Sequence, residues 1–328
     1  MPAASPRREL TYAAMQLPFF SAEQVHAALG YTFLAEALRE AFREGCTVPL
    51  RHVHDVTGEG DRLLLMPAWR QGKDLGVKLV TVFPRNRECG AATVSALYVL
   101  LDGATGQPRA LIDGEALTLR RTAAASALAS MYLSRKDSAT LLVIGTGALA
   151  PHMARAHCAL RPIGKLLLWG RSPERAQTLA AQLRGEGLPA QALADLARGL
   201  ADADIVTCAT TATEPVVHGA LLRPGAHVDL VGGFTPQMRE GDDDLIARAE
   251  IFVDSYAGAF KEAGDLVQPL ASGVLMRERV RAELAELVTG AHPGRQSRDE
   301  ITLFKSVGTA LEDLCAARLV LECSRIQL

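Results

Sequence analysis

Paired cysteines are missing from this chain. Its six cysteines, Cys46, Cys89, Cys158, Cys208, Cys315 and Cys323, lie far apart with no Cys-x-x-Cys spacing. That argues against a zinc site and against a disulfide scaffold, and it points to a reduced compartment, the cytoplasm. An excess of either charge is missing too: Lys plus Arg number 35 against 37 Asp plus Glu, a net charge of −2. No global basic field would recruit nucleic acid or an anionic membrane, so the expected partners are small molecules. Long apolar runs are absent, and Arg7 and Arg8 are followed only by Ala13-Ala14-Met15, too little for a signal segment. The expectation is a chain neither exported nor membrane-spanning. There are no internal repeats and, beyond one alanine-rich helix, no low-complexity stretch.

What is present is length and an ordinary apolar share. At 328 residues and 48% hydrophobic content the chain can build two domains with real cores. Its organising stretch is Leu141-Leu-Val-Ile-Gly145-Thr-Gly147-Ala-Leu-Ala150, an apolar run ending in Gly-x-Gly-x-x-Ala and continuing with helical spacing. Such a strand, turn and helix opens a dinucleotide-binding unit. Gly145 permits the tight turn, Gly147 lets backbone N–H groups approach a pyrophosphate, and Ala150 lets helix and strand pack closely. A glycine turn alone is weak, since nucleotide-free α/β layers have them as well. Further apolar runs at βαβ spacing, Lys165-Leu-Leu-Leu-Trp169 and Asp204-Ile-Val-Thr-Cys208, support the nucleotide site.

The second of these strands ends in Trp169-Gly170-Arg171-Ser172, where an NAD-preferring domain usually carries an acid for the ribose 2′-hydroxyl. Arg171 and Ser172 instead offer a cation and a hydroxyl to a 2′-phosphate, so NADPH is expected, with NADH less favoured. Ser172-Pro173-Glu174 is equally a helix start beside a surface arginine, and both readings can hold together. Later strands end in Thr210-Thr211 and in Gly232-Gly233, and in a doubly wound sheet such ends face the cofactor crevice.

Upstream, residues 1 to about 20 read as a poorly ordered lead-in or an edge segment. Ser21-Ala-Glu-Gln24 has the form of a capping box, and residues 22–44 read as helix, interrupted at Gly30. The chain to residue 115 reads as mainly antiparallel sheet with helices. In Gly76-Val-Lys78-Leu-Val-Thr-Val-Phe83 the apolar residues do not alternate with polar ones, so Lys78 sits in a buried strand and needs an anion: a ligand, a structural salt bridge, or escape by snorkelling. The alanine-rich helix from Glu115 to Leu133 carries Arg120 and Arg121, which cannot share a face. Arg120 is expected to be solvated, and Arg121 packed and paired with a carboxylate or phosphate. A last helix with Leu311, Leu314, Ala317 and Leu321 falls outside the βαβ rhythm and is expected to return to the first domain.

Several segments together resemble the ornithine cyclodeaminase/μ-crystallin family: Gly76-Val-Lys78-Leu-Val-Thr-Val-Phe-Pro84-Arg-Asn86, Ala116-Leu-Thr-Leu-Arg-Arg121-Thr-Ala-Ala-Ala-Ser126, Gly145-Thr-Gly147, Ala203-Asp-Ile-Val206 and Phe304-Lys-Ser-Val-Gly308. The resemblance spans nearly the whole chain. It implies an α/β fold with a Rossmann dinucleotide-binding domain (126–304) inserted into an α+β substrate and dimerisation domain (1–125 plus 305–328), and a homodimer. It also implies that Lys78, Arg121 and, less distinctively, Arg51 bind a substrate carboxylate. The cofactor would meet Gly145, Thr146, Gly147, Ala148, Arg171, Ser172, Thr210, Thr211, Phe234 and Gly308. Cyclodeaminases of the family carry a catalytic aspartate after the glycines of the fifth strand, whereas this chain has Gly232-Gly233-Phe234-Thr235-Pro236-Gln-Met-Arg-Glu240. That form, with His52 and His54 after Arg51, resembles the branch that reduces the cyclic imino acids Δ1-pyrroline-2-carboxylate and Δ1-piperideine-2-carboxylate. His54 is a candidate proton donor, because imidazole titrates near neutrality, although a strand histidine is more often structural. A cyclodeaminase or amino-acid dehydrogenase on the same scaffold, and a μ-crystallin-like ligand-binding protein, remain as alternatives.

Overall fold

The structure, a computed structural model, describes residues 17–326. The expectation for the first 20 residues lies outside it up to residue 16; beyond that, β1 (Phe19–Phe20) is a short edge strand. Ser21 then forms the expected capping box, its hydroxyl accepting from the Gln24 amide and the Gln24 side chain accepting from the Ser21 amide. It opens α1 (Ala22–Ala28), and Gly30, in an extended conformation, separates this from α2 (Tyr31–Glu44). Leu34, Leu38 and Phe42 repeat every fourth position and are all buried, which fixes the inward face of α2.

Strands β2 (His52–Asp55), β3 (Arg62–Arg70), β4 (Asp74–Val82), β5 (Val94–Asp102) and β6 (Pro108–Asp113) follow. They form a six-stranded sheet in the order β1-β6-β5-β4-β3-β2, antiparallel except for the β1–β6 pair. The β5–β6 hairpin turns where Asp102 accepts from the amides of Ala104 and Thr105 and Gly106 takes φ +73°. From Asp113, which caps it, α3 (Gly114–Leu133) runs as one helix across position 126. The passage to the second sheet is therefore a continuous helix. Ala123, Ala124, Ala125, Ala127 and Ala129 are fully buried, and their small side chains let neighbouring elements pack close to the α3 backbone.

The remaining elements alternate strand and helix. They are β7 (Thr140–Ile144), α4 (Ala150–Leu160), β8 (Lys165–Trp169), α5 (Pro173–Gly185), β9 (Ala190–Ala192), α6 (Leu196–Asp202), β10 (Ile205–Cys208) and β11 (His227–Leu230). After them come α7 (Asp243–Arg248), β12 (Ala249–Val253), α8 (Tyr256–Glu262), α9 (Gly264–Ser272), β13 (Val280–Glu283), α10 (Leu284–Thr289), β14 (Ile301–Lys305) and α11 (Ala310–Ile326). Eight strands form an all-parallel sheet in the order β13-β12-β14-β11-β10-β7-β8-β9. The chain leaves β7 toward β8 and β9, then returns to the other side of β7 with β10. The sheet is doubly wound and its switch point lies between β7 and β10. The expected α/β class is met. Last, α11 leaves β14 and packs on α2, α3, β3 and β4 of the first sheet.

One expectation is corrected here. Arg120 is not solvated: its guanidinium donates to the carbonyls of His26 and Leu29 and to His26 Nδ1, and lies 4.6 Å from the Tyr31 ring centre. The residue after Leu119 still has a neighbour, because α1 and the start of α2 cover that flank of α3.

Candidate active site

A cavity of about 410 Å³ opens between the two sheets at the carboxyl ends of the parallel strands. The first sheet contributes Leu64 and Met66 of β3, Val80 and Val82 of β4, and Val94 and Ala96 of β5. These are alternate residues, as the period of a strand requires, so one face of the sheet presents an aliphatic wall. Helix α3 adds Thr118, Leu119, Arg121 and Thr122 with Glu115 at the exposed end, and the parallel sheet adds Gly147, Ala148, Thr210, Thr211, Gly232 and Phe234.

Lys78, Arg121 and Arg51 all reach this cavity. Lys78, on the buried strand, finds its anion in Asp313: Nζ lies 2.8 Å from Oδ2 and also donates to Thr118 at 3.3 Å. Arg121 donates through Nε to Asp313 at 2.9 Å and through Nη1 to Glu312 at 2.6 Å. Its Nη2 makes no hydrogen bond among the described residues, so donors remain for a ligand. Arg51 pairs with Glu262 at 2.9 Å and donates to the carbonyls of Val307 and Gly308. Burial pulls the Lys78 pKa down to about 8; Asp313 opposes this, while Arg121 and Arg51 reinforce it. Burial alone would raise the Asp313 carboxyl, but Lys78 and Arg121 outweigh it and hold it below the usual range. Burial pushes Glu312 up to about 7 against the pull of Arg121.

At the dinucleotide end, Gly145 has φ +119° and a Cβ there would stand 2.6 Å from the Ala209 carbonyl, so only glycine fits where β7 turns beside the β10 loop. A Cβ on Gly147 would meet nothing within 4 Å: the backbone edge faces open space, as a pyrophosphate cradle must. Thr146 lies against Gly170 at the end of β8, and its carbonyl accepts from Arg175 at 3.3 Å. Ser172 caps α5, and Arg171 is exposed with no ion pair among the described residues. Gly308 has φ +79°, and a side chain there would run into the Arg121 guanidinium at 2.4 Å.

The structure does not bring His54 to the cavity. It pairs with Leu63, whereas Val53 pairs with Leu64, and cross-strand partners share a face. Leu64 lines the cavity, so His54 and His52 lie on the opposite face of the sheet. No motif or spacing singles out the two acids, Glu312 and Asp313, in the sequence. They stand in the first turn of the last helix, after Ala310-Leu311, where carboxylates are ordinary residues. The available signal was the buried lysine itself, which demanded an anion.

The ornithine cyclodeaminase/mu-crystallin family model matches residues 18–326. A Δ1-pyrroline-2-carboxylate reductase of Colwellia psychrerythraea is 38% identical over 313 residues, 93% of this chain and 99% of the relative. The structure of Thermococcus litoralis Δ1-pyrroline-2-carboxylate reductase in complex with NADH and L-proline superposes with a TM-score of 0.90 at 35% identity, covering 95% of this chain and 98% of that one. An archaeal alanine dehydrogenase dimer with bound NAD gives a TM-score of 0.88 at 28% identity, covering 95% and 97%.

Proposed function

The chain belongs to the ornithine cyclodeaminase/mu-crystallin family, and from that premise we propose that it reduces the C=N bond of cyclic imino acids, Δ1-pyrroline-2-carboxylate to L-proline and also Δ1-piperideine-2-carboxylate to L-pipecolate. The observation that carries this reading is the cavity: Lys78, Arg121 and Arg51 gather at one end of an aliphatic wall, and Phe234, which cannot exchange protons, stands at the glycine loop. A carboxylate suits the first feature and an uncharged ring the second.

The turn at Gly145 and Gly147 fits a nicotinamide dinucleotide. Bound there, the cofactor supplies the hydride. The exposed Arg171 beside Ser172, without an ion pair among the described residues, supports NADPH over NADH. The three cations hold the substrate carboxylate and thereby fix the position of the imine carbon. Leu64, Val80, Val82 and Phe234 keep water from the ring. Arginine does not give up a proton and Glu115 stands at the exposed end, which leaves Lys78 as the buried proton donor among the lining side chains. Lys78, with its pKa drawn to about 8, is matched to protonate the imine nitrogen.

We also propose the two-domain division at residues 126 and 304, a homodimer, and residence in the cytoplasm. All six cysteines are free, and among the described residues no helix is long and apolar enough to cross a membrane. The test follows NADPH oxidation with each cyclic imine and with ornithine. Deuteride from labelled NADPH should reach the α-carbon of L-proline alone. Racemic product rules out a fixed pose, and ammonia release from ornithine overturns the reading of Phe234.

A further inference from the structure

Behind the cofactor-facing loops lies a buried ionic cluster that the proposed reaction does not use directly. Glu240, Asp265 and Lys305 are all fully buried. Glu240 Oε1 accepts from the Thr210 amide at 2.7 Å and the Thr210 hydroxyl at 2.9 Å. Its Oε2 accepts from the amides of Gly232 at 2.8 Å and Gly233 at 3.1 Å. Thr210 follows β10 and Gly232 follows β11, so one carboxylate ties together the loops at the ends of two neighbouring strands. Both loops line the cavity. Glu240 is itself held: Asp265 Oδ1 accepts from the amides of Glu240 and Gly241 at 2.7 and 2.9 Å, and Lys305 lies 2.9 Å from Asp265 Oδ2. The loops meet so closely that a Cβ on Gly232 would stand 2.0 Å from the Thr210 carbonyl.

We propose that Glu240 is a positioning residue for the dinucleotide, a strut that sets the spacing of the β10 and β11 loops, with Asp265 and Lys305 as its footing. The inference rests on the reading of the cavity as a dinucleotide site. The chemistry demands a carboxylate. Every contact of the side chain is an acceptance, so a carboxamide of the same shape turns an NH₂ group toward buried N–H or O–H donors.

Two measurements on the full chain test this. In Glu240→Gln the dissociation constant for NADPH, read by fluorescence without imine, should rise at least about tenfold, the effect of losing hydrogen bonds to a charged group. The KM for pyrroline-2-carboxylate at saturating NADPH should change by less than about threefold, because Lys78, Arg121 and Arg51 are untouched. Unchanged NADPH affinity, or a parallel loss in both constants, overturns the proposal. Should the variant not fold, hydrogen exchange of the unsubstituted chain decides: the amides of Thr210, Gly232 and Gly233 should be protected as strand amides are. Exchange at the rate of exposed loop amides overturns the strut. If the unsubstituted chain binds no dinucleotide, the functional reading fails and takes the positioning role with it, while protected amides would mark the cluster as structural only.

Discussion

A lysine on a buried strand must find an anion, and Lys78 finds Asp313, 235 positions away in sequence. The same carboxylate holds Arg121, so the two cations are set in place before any ligand arrives. Structural pairing thus does not exclude the proposed ligand binding: the acids fix the cations, and among the described residues Arg121 Nη2 makes no hydrogen bond. Replacing Lys78 or Arg121 by Met should each cost about 2–5 kcal/mol in transition-state stabilisation, the range for truncating one member of a buried charge pair, measured as kcat/KM for the imine. A substrate analogue lacking the carboxylate that is reduced equally well would refute the clamp. The pH dependence has a definite sign. Because burial lowers the Lys78 pKa to about 8, its charge is lost as pH rises through that value, and kcat/KM should fall there. Lys78→Arg, whose cation does not titrate in this range, should lack that limb whatever activity remains. For stability the same shift runs the other way. Between about 8 and the ordinary 10.5 the unfolded chain binds the proton and the folded chain does not, so this site favours folding more as pH rises across that window.

At the scale of the element, what can be read from sequence depends on whether a pattern has one physical cause. The apolar run Leu141–Ile144 is buried on both faces because helices cover the sheet, and its β-structure was legible for that reason, as it was for Ile205–Cys208. Ala190–Ala192 and Val280–Glu283 also form strands, but they are the two edges of the parallel sheet, three and four residues long with mixed polarity, and no periodicity announces them. His54 illustrates the limit in the site itself. Its neighbourhood to Arg51 was visible, yet only the register of β2 on β3 decides which face it takes, and a shift of one residue would have reversed the answer. Arg120 illustrates another: helix phase told that it could not share a face with Arg121, but not that α1 would cover it. The end of β8 carries a cleaner expectation. Arg171 is exposed at the first position after Gly170, so Arg171→Ala should raise the KM for NADPH by at least about tenfold, the loss of one charge-assisted contact, with the KM for NADH nearly unchanged. Equal effects on the two cofactors would show that no 2′-phosphate is read there.

For the whole molecule, the stretch from Lys305 to Asp313 links the three cations of the cavity to the buried cluster behind the loops. Lys305 supports the Glu240 strut, the Val307 and Gly308 amides donate to Asp254, their carbonyls accept from Arg51, and Glu312 and Asp313 hold Arg121 and Lys78. This segment and α3 carry the chain between the two sheets, so the substrate wall and the dinucleotide end are kept in register by covalent links as well as by packing. Among the described residues, β2 has no strand on its outer side. Strand β2 ends the first sheet, all four of its residues are exposed, and Val53 retains 51% of its surface and Val56 53%. An edge strand offers unpaired N–H and C=O groups to another chain, and Val53 adds an exposed apolar side chain. A second copy can meet it antiparallel about a two-fold axis, which pairs the same residues from both sides and closes the assembly at two chains. The chain should therefore be a dimer by light scattering at micromolar concentration. Val53→Pro removes an edge N–H and cannot sit within a central strand, so it should shift the chain to monomer while the Tm of the fold moves little. A monomeric unsubstituted protein, or a variant that stays fully dimeric, would exclude β2 as the contact.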